Sequence, residues 1–230
     1  MMHEDREYPS ASYRRVFSNI VSIAFETGYS NEELLTAIFD ELRIILPWQA
    51  MSLSVYDPIT RRHRSVISSG YEKKTVNYLD SAYIHVDPAY AWIVRTAQPF
   101  FSWKTTEFDY SESVSARKYW LPGGYRGGST SHLTSRDSRY VGNFHTSTDS
   151  PDHPSVEVLQ MVDDVAPVLS KLTDIWRNPV QLLHNVSQED HIFFVDSNNM
   201  IHRIPGYKYC KSEEIHDIVL KSLSKCSSYN

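Results

Sequence analysis

The chain predicts an α+β fold built on a mostly antiparallel sheet. Three observations carry this. Helical apolar stripes stand at both ends of residues 11–176, two separate segments switch to two-residue alternation, and a long aromatic crossover lies between them. The order is helix, helix, hairpin, crossover, hairpin, helix.

Each element has a local cause. Val16, Phe17, Ile20, Val21, Ile23, Ala24 and Phe25 make a broad helical stripe over residues 11–27, closed by Gly28. Ser30-Asn31-Glu32-Glu33 fits the S-x-x-E capping box. Behind it Leu34, Leu35, Ile38, Leu42 and Ile45 supply the buried face of a second helix, which Pro47 stops. Met51, Leu53 and Val55 then alternate with Ser52, Ser54 and Tyr56, the pattern of a half-buried strand. Asp57-Pro58 and Thr60 turn the chain into a returning strand over Arg62–Ser69, closed by Gly70. The basic cluster Arg61-Arg62-His63-Arg64 reads as a solvated turn. Short helices are predicted over 72–83 and 88–97, on either side of Val86-Asp87-Pro88. An extended piece follows over 99–103, and a further helix over 111–120 ends at Leu121-Pro122-Gly123-Gly124.

Ser129–Ser135 and Arg139–Ser147 form the clearest hairpin. A two-residue loop at Asp137-Ser138 opposes Thr130 to His145 and His132 to Asn143; a three-residue loop shifts that alignment. In the two-residue register Thr130, His132 and Thr134 share a face with Val141, Asn143 and His145, while Leu133 and Phe144 face the other way. Ser155 caps a helix reaching Trp176, with a heptad-like seam of Val158, Val162, Val165, Leu169, Leu172 and Trp176 interrupted by Pro167. That seam fits either packing on the sheet or a homodimer through the terminal helices. Asn178-Pro179 divides the chain into residues 11–178 and an appendage, 179–230. The appendage carries a hairpin of Ile192–Val195 and Met200–Ile204 and a helix from Ser212 to Lys225.

Composition narrows the function. Lys and Arg number 23 against 28 Asp and Glu, a net charge of −5, which speaks against binding nucleic acid or an anionic membrane through bulk charge. The two cysteines, Cys210 and Cys226, make no disulfide framework and leave residues 1–209 without a thiol nucleophile. No G-x-S-x-G, H-E-x-x-H or phosphate-loop pattern occurs, and Gly123-Gly124 and Gly127-Gly128 read as turn chemistry. An enzyme is therefore not expected, nor a cofactor. The start of the chain lacks the apolar core of a signal peptide, and no apolar run nears the roughly 20 residues of a membrane span, so a cytoplasmic protein is expected.

The aromatic residues, 15 Tyr, 9 Phe and 5 Trp, are unevenly spread, with twelve of them in residues 71–120. Either they cover the sheet, or they wall a small-molecule pocket with a few placed polar groups, and both readings can hold together. The candidate ligand-binding residues are Tyr78, Tyr83, Asp87, Trp103, Tyr119, Trp120, His132 and His145. Asp87 before Pro88 suits a helix N-cap as well as a ligand contact. His132 and His145 suit a structural role or a ligand's carboxylate or carbonyl; as metal ligands they lack a convincing third partner.

Val86-Asp87-Pro88, Gln98-Pro99-Phe100, Leu121-Pro122-Gly123-Gly124-Tyr125-Arg126, Arg139-Tyr140-Val141-Gly142 and Val165-Ala166-Pro167 together resemble a GAF domain over about residues 11–176. More narrowly they resemble the sensing domain that precedes the helix-turn-helix of actinobacterial LuxR-family regulators. The resemblance implies a GAF/PAS-like sheet with the N- and C-terminal helices on one face and the crossover on the other. It also implies an enclosed small-molecule ligand and a homodimer. Tyr78, Asp87-Pro88 and Trp103 are spaced much as in the LuxR autoinducer pocket, where the Tyr and Asp bond a ligand amide and the Trp lines the wall. That family's other Trp is Lys74 here, which speaks against an acyl-homoserine lactone. The appendage offers one helix and no basic excess, so it is expected to supply no helix-turn-helix of its own and no direct contact with nucleic acid.

Overall fold

The computed structural model describes residues 11–175, apart from Leu46, Pro47, Ile59, Thr105 and His153, together with residues 193–195 and 201–203. The chain separates into two compact units, Met1–Asn178 and Pro179–Asn230.

In the first unit, helices α1 (Ala11–Ala24) and α2 (Asn31–Ile45) precede the hairpin β1 (Ala50–Asp57) and β2 (Arg62–Ser69). The crossover holds α3 (Lys73–Ser81), the single turn α4 (Tyr83–Val86), α5 (Pro88–Thr96) and the short strand β3 (Phe100–Ser102). The hairpin β4 (Gly127–Thr134) and β5 (Tyr140–Thr148) follows, and α6 (Val156–Thr173) closes the unit. The sheet order is β2-β1-β5-β4-β3, and every pair is antiparallel. In the second unit, β6 (Phe193–Val195) and β7 (Ile201–Arg203) pair antiparallel. Cys210, Cys226, Trp176, Pro47 and the helix expected from Ser212 lie outside the described residues.

The capping box forms as its sequence requires. The Ser30 N–H donates to Glu33 Oε2 at 2.7 Å, and the Glu33 N–H donates to Ser30 Oγ at 3.2 Å. The α1 stripe is narrower than the apolar run: Tyr13, Val16, Ile20 and Ala24 are buried, and Phe25 lies beyond the helix end, exposed. Val158, Val162, Val165, Leu169 and Leu172 of α6 pack with α1, α2, Leu53, Leu133 and Phe144 into one core on one face of the sheet. The seam's apolar area is thus buried within the chain itself.

The opposite face carries a second, aromatic core from the crossover, including Tyr78, Tyr83, Trp92, Phe101, Tyr110 and Trp120. The helix expected over 111–120 does not form as one element. Instead a 3₁₀ turn (Tyr110–Glu112), a π-helical turn (Ala116–Trp120) and a second 3₁₀ turn (Leu121–Gly123) follow one another. Gly124 ends the series in a left-handed conformation that a side chain would resist.

With both faces covered, β1 is not half-buried: Ser52 and Ser54 are as inaccessible as Leu53. The β4–β5 register opposes Thr130 to His145, His132 to Asn143 and Leu133 to Gly142 as expected. The loop, however, has three residues, Arg136-Asp137-Ser138, closed by the Ser135 N–H donating to the Arg139 carbonyl at 2.8 Å. An irregularity between Leu133 and Thr134, which opposes Tyr140, restores the register. This irregularity turns Val141 over, so it packs with Leu133 and Phe144 and not beside Asn143 and His145.

Candidate functional site

Asp87 stands at the junction of α4 and α5 in an extended conformation, and Pro88 takes the first helical position. Its Oδ1 accepts from the Ala89 N–H at 2.8 Å, so the capping role holds. Two phenols occupy the rest of the carboxylate. Tyr78 Oη donates to Oδ2 at 2.9 Å, and Tyr110 Oη lies 3.0 Å from Oδ2 and 3.2 Å from Oδ1. Asp87 is only 2% exposed, and burial pushes its carboxyl above the ordinary carboxylate value against these stabilising bonds. Burial and the Asp87 charge both raise the Tyr78 phenol, keeping it a neutral donor.

Rings close around this carboxylate. Tyr119 stacks on Tyr78 with centroids 4.0 Å apart, and Trp120 meets Tyr78 edge-on at 5.5 Å. Trp103 lies 5.0 Å from Tyr110. Tyr119 and Trp120 both ride on the π-helical turn, a local distortion frequent at functional sites. Beside them a groove of about 610 Å³ opens, lined among others by Tyr78, Val86, Phe108, Ser115, Lys118 and Tyr119.

Tyr83 connects this cluster to the sheet. Its ring lies 6.3 Å from Tyr78 and 4.7 Å from His145. Its hydroxyl donates to Thr130 Oγ1 at 3.2 Å, and that oxygen lies 3.0 Å from His145 Nδ1. His132 stands further along the same face, 4.1 Å from the Tyr140 ring. Burial keeps both imidazoles neutral: His132 is lowered to about 4, and His145 lies well below its ordinary value.

All eight sequence-predicted residues therefore lie on the crossover side of the sheet. Tyr78, Asp87, Tyr119, Trp120 and Trp103 gather around the carboxylate, and Tyr83 leads from them to His145. His132 belongs to an adjoining group with Tyr140, Tyr90 and His63, which Tyr83 also meets through Tyr90 and His63. Tyr110 escaped selection as a site residue, although the aromatic crowding of the crossover contained it. His63 is a correction. It is 4% exposed, its Nε2 lies 2.5 Å from Tyr140 Oη, and burial lowers it to about 3, so it is no part of a solvated turn. Among the described residues no group of three or more His, Cys, Asp or Glu is placed to hold a metal ion. Among them, too, no helix is long and apolar enough to cross a membrane.

No protein-family model matches the chain, and no curated protein matches it. Solved structures do. The GAF domain of a phosphoenolpyruvate-protein phosphotransferase from Coxiella burnetii has a TM-score of 0.56 at 15% identity, covering 75% of this chain and 98% of that one. The phycocyanobilin-bound GAF domain of a cyanobacterial phytochrome gives 0.53 at 12% identity, over 77% and 100%. The free methionine-R-sulfoxide reductase of Neisseria meningitidis, in complex with its substrate, gives 0.52 at 12% identity, over 78% and 99%. This chain's five antiparallel strands lie between a helical layer and an aromatic crossover, and its likeness to these structures gives it a GAF-like α+β fold.

Proposed function

We propose that this chain is a sensory domain that binds a small molecule on the crossover side of its sheet and signals through conformation. The carrying observation is the groove of about 610 Å³ that reaches Tyr78 and Ser115 beside the buried Asp87 carboxylate. Its size and its mixed wall, apolar and aromatic at Tyr78, Val86, Phe108 and Tyr119 and polar at Asp109, Glu112, Ser115 and Lys118, suit an organic ligand with polar substituents. The GAF-like fold and the phycocyanobilin-bound and substrate-bound neighbours support a small-molecule-binding role. In the finer reading the chain is the sensing half of a LuxR-family transcriptional regulator, cytoplasmic, and a homodimer through its terminal helices, with no contact to nucleic acid of its own. Binding is favoured over catalysis because residues 1–209 contain no cysteine and the buried Asp87 is fully engaged by its cap and two phenols.

Native mass spectrometry of the purified protein, followed by melting curves across a metabolite panel, tests this. A bound mass or a ligand-induced rise in Tm, diminished in Tyr119→Ala, is expected. Neither a bound mass nor any rise would overturn it. A second reading, a protein-interaction module, draws on Val86 and Val114, which line the groove yet are 68% and 77% exposed.

A further inference from the structure

The sheet face beneath the crossover is a polar grid. Ser54, Asn143 and His132 oppose one another in one row across β1, β5 and β4, and Ser52, His145 and Thr130 in the next. Ser52, Ser54 and Asn143 are wholly inaccessible, and His145 nearly so. Both amide atoms of Asn143, His145 Nε2 and His132 Nε2 are buried and find no hydrogen-bond partner among the described residues. Exchanging the oxygen and nitrogen of the Asn143 amide leaves this unchanged, since neither is paired. Such groups each carry a penalty of about 1–3 kcal/mol, and several side by side on a central strand call for a common partner.

The tautomer of His145 follows from its neighbours. Tyr83 donates to Thr130 Oγ1, which satisfies its own hydrogen by donating to His145 Nδ1. The proton of the neutral ring then sits on Nε2 and makes it a donor. Asn143 adds a donor and an acceptor two residues away on the same face. No lysine or arginine belongs to the grid, so an anionic group here would be buried without a counter-charge, and burial keeps the imidazoles neutral. Tyr83 and Tyr78 link the grid to the groove ring by ring.

We infer that Asn143 and His145 form a deep subsite that reads an uncharged, amide-like edge of the ligand, accepting from its N–H and donating to its carbonyl. This rests on the sensor reading and specifies the ligand class; it uses residues other than the Asp87 cluster.

Benzamide and benzoate, a matched pair differing in charge and in the N–H, are the probes, followed by saturation-transfer NMR and melting curves on the full chain. Benzamide is expected to bind wild type at least tenfold more tightly than benzoate, and to lose at least fivefold in Asn143→Leu. Asn143→Leu should keep or raise the Tm of the protein alone, because an apolar side chain of similar shape replaces an unpaired amide. His145→Phe provides a second variant should the first not fold. Equal or tighter binding of benzoate, no binding of benzamide to wild type, or benzamide binding retained in both variants overturns the inference. A co-purifying mass that both variants retain would overturn this subsite and leave the sensor reading standing; absence of any ligand across the metabolite panel would remove both.

Discussion

Tyr78 donates a 2.9 Å hydrogen bond to Asp87 nine residues along the chain, while the other oxygen of the same carboxylate caps α5. One buried group thus ties α3 to the start of α5. Asp87→Ala removes the cap and leaves the Tyr78 and Tyr110 phenols without an acceptor, a loss of about 3 kcal/mol in urea unfolding. Asp87→Asn keeps the cap and removes a charge that burial opposes, so its loss should be at most about half of that.

Acid should destabilise the fold through its histidines. His63 and His132 are lowered to about 3 and 4, and His145 well below its ordinary value, all from burial. Between pH 6.5 and these folded values the unfolded chain binds protons that the folded chain refuses. Stability is therefore complete above about pH 6.5 and falls on acidification by about 1.4 kcal/mol per pH unit for each buried histidine. Urea midpoints measured from pH 7.5 to 5 should show this slope, and His145→Gln should remove about a third of it.

Gly142 is held by space. A Cβ there would lie 1.9 Å from the Ser54 carbonyl oxygen on the neighbouring strand. Gly142→Ala forces β1 and β5 apart beside the point where the β4–β5 register shifts, and a loss of at least about 3 kcal/mol is expected. A melting curve that matched wild type would contradict that close approach.

The α6 seam gives a contrast of faces. Leu169 is fully buried against the sheet and Val156 is exposed. Leu169→Ala should lose about 2–5 kcal/mol, and Val156→Ala about 0.5 kcal/mol or less. Sedimentation of Val156→Lys alongside wild type would show whether the outer surface of this helix takes part in self-association.

Much of this molecule is written in local sequence. Apolar spacing determines α2 and α6, Ser30 and Glu33 determine where α2 begins, and Asp87-Pro88 determines where α5 begins. These are interactions among residues close in the chain, and their periods and caps can be read directly. Tertiary structure alone decided that the polar face of β1 and β5 is buried, because alternation tells which side a residue takes and not what covers that side. It also decided that Val141 joins the helical core, since a single extra residue in a strand reverses a period of two. Only packing within the crossover brings Tyr110 to Asp87, 23 residues away, and only the strand order β2-β1-β5 brings His63 to Tyr140, 77 residues away. The aromatic crowding of residues 71–120 announced a wall; which polar atoms it leaves unpaired depends on how that wall meets the sheet.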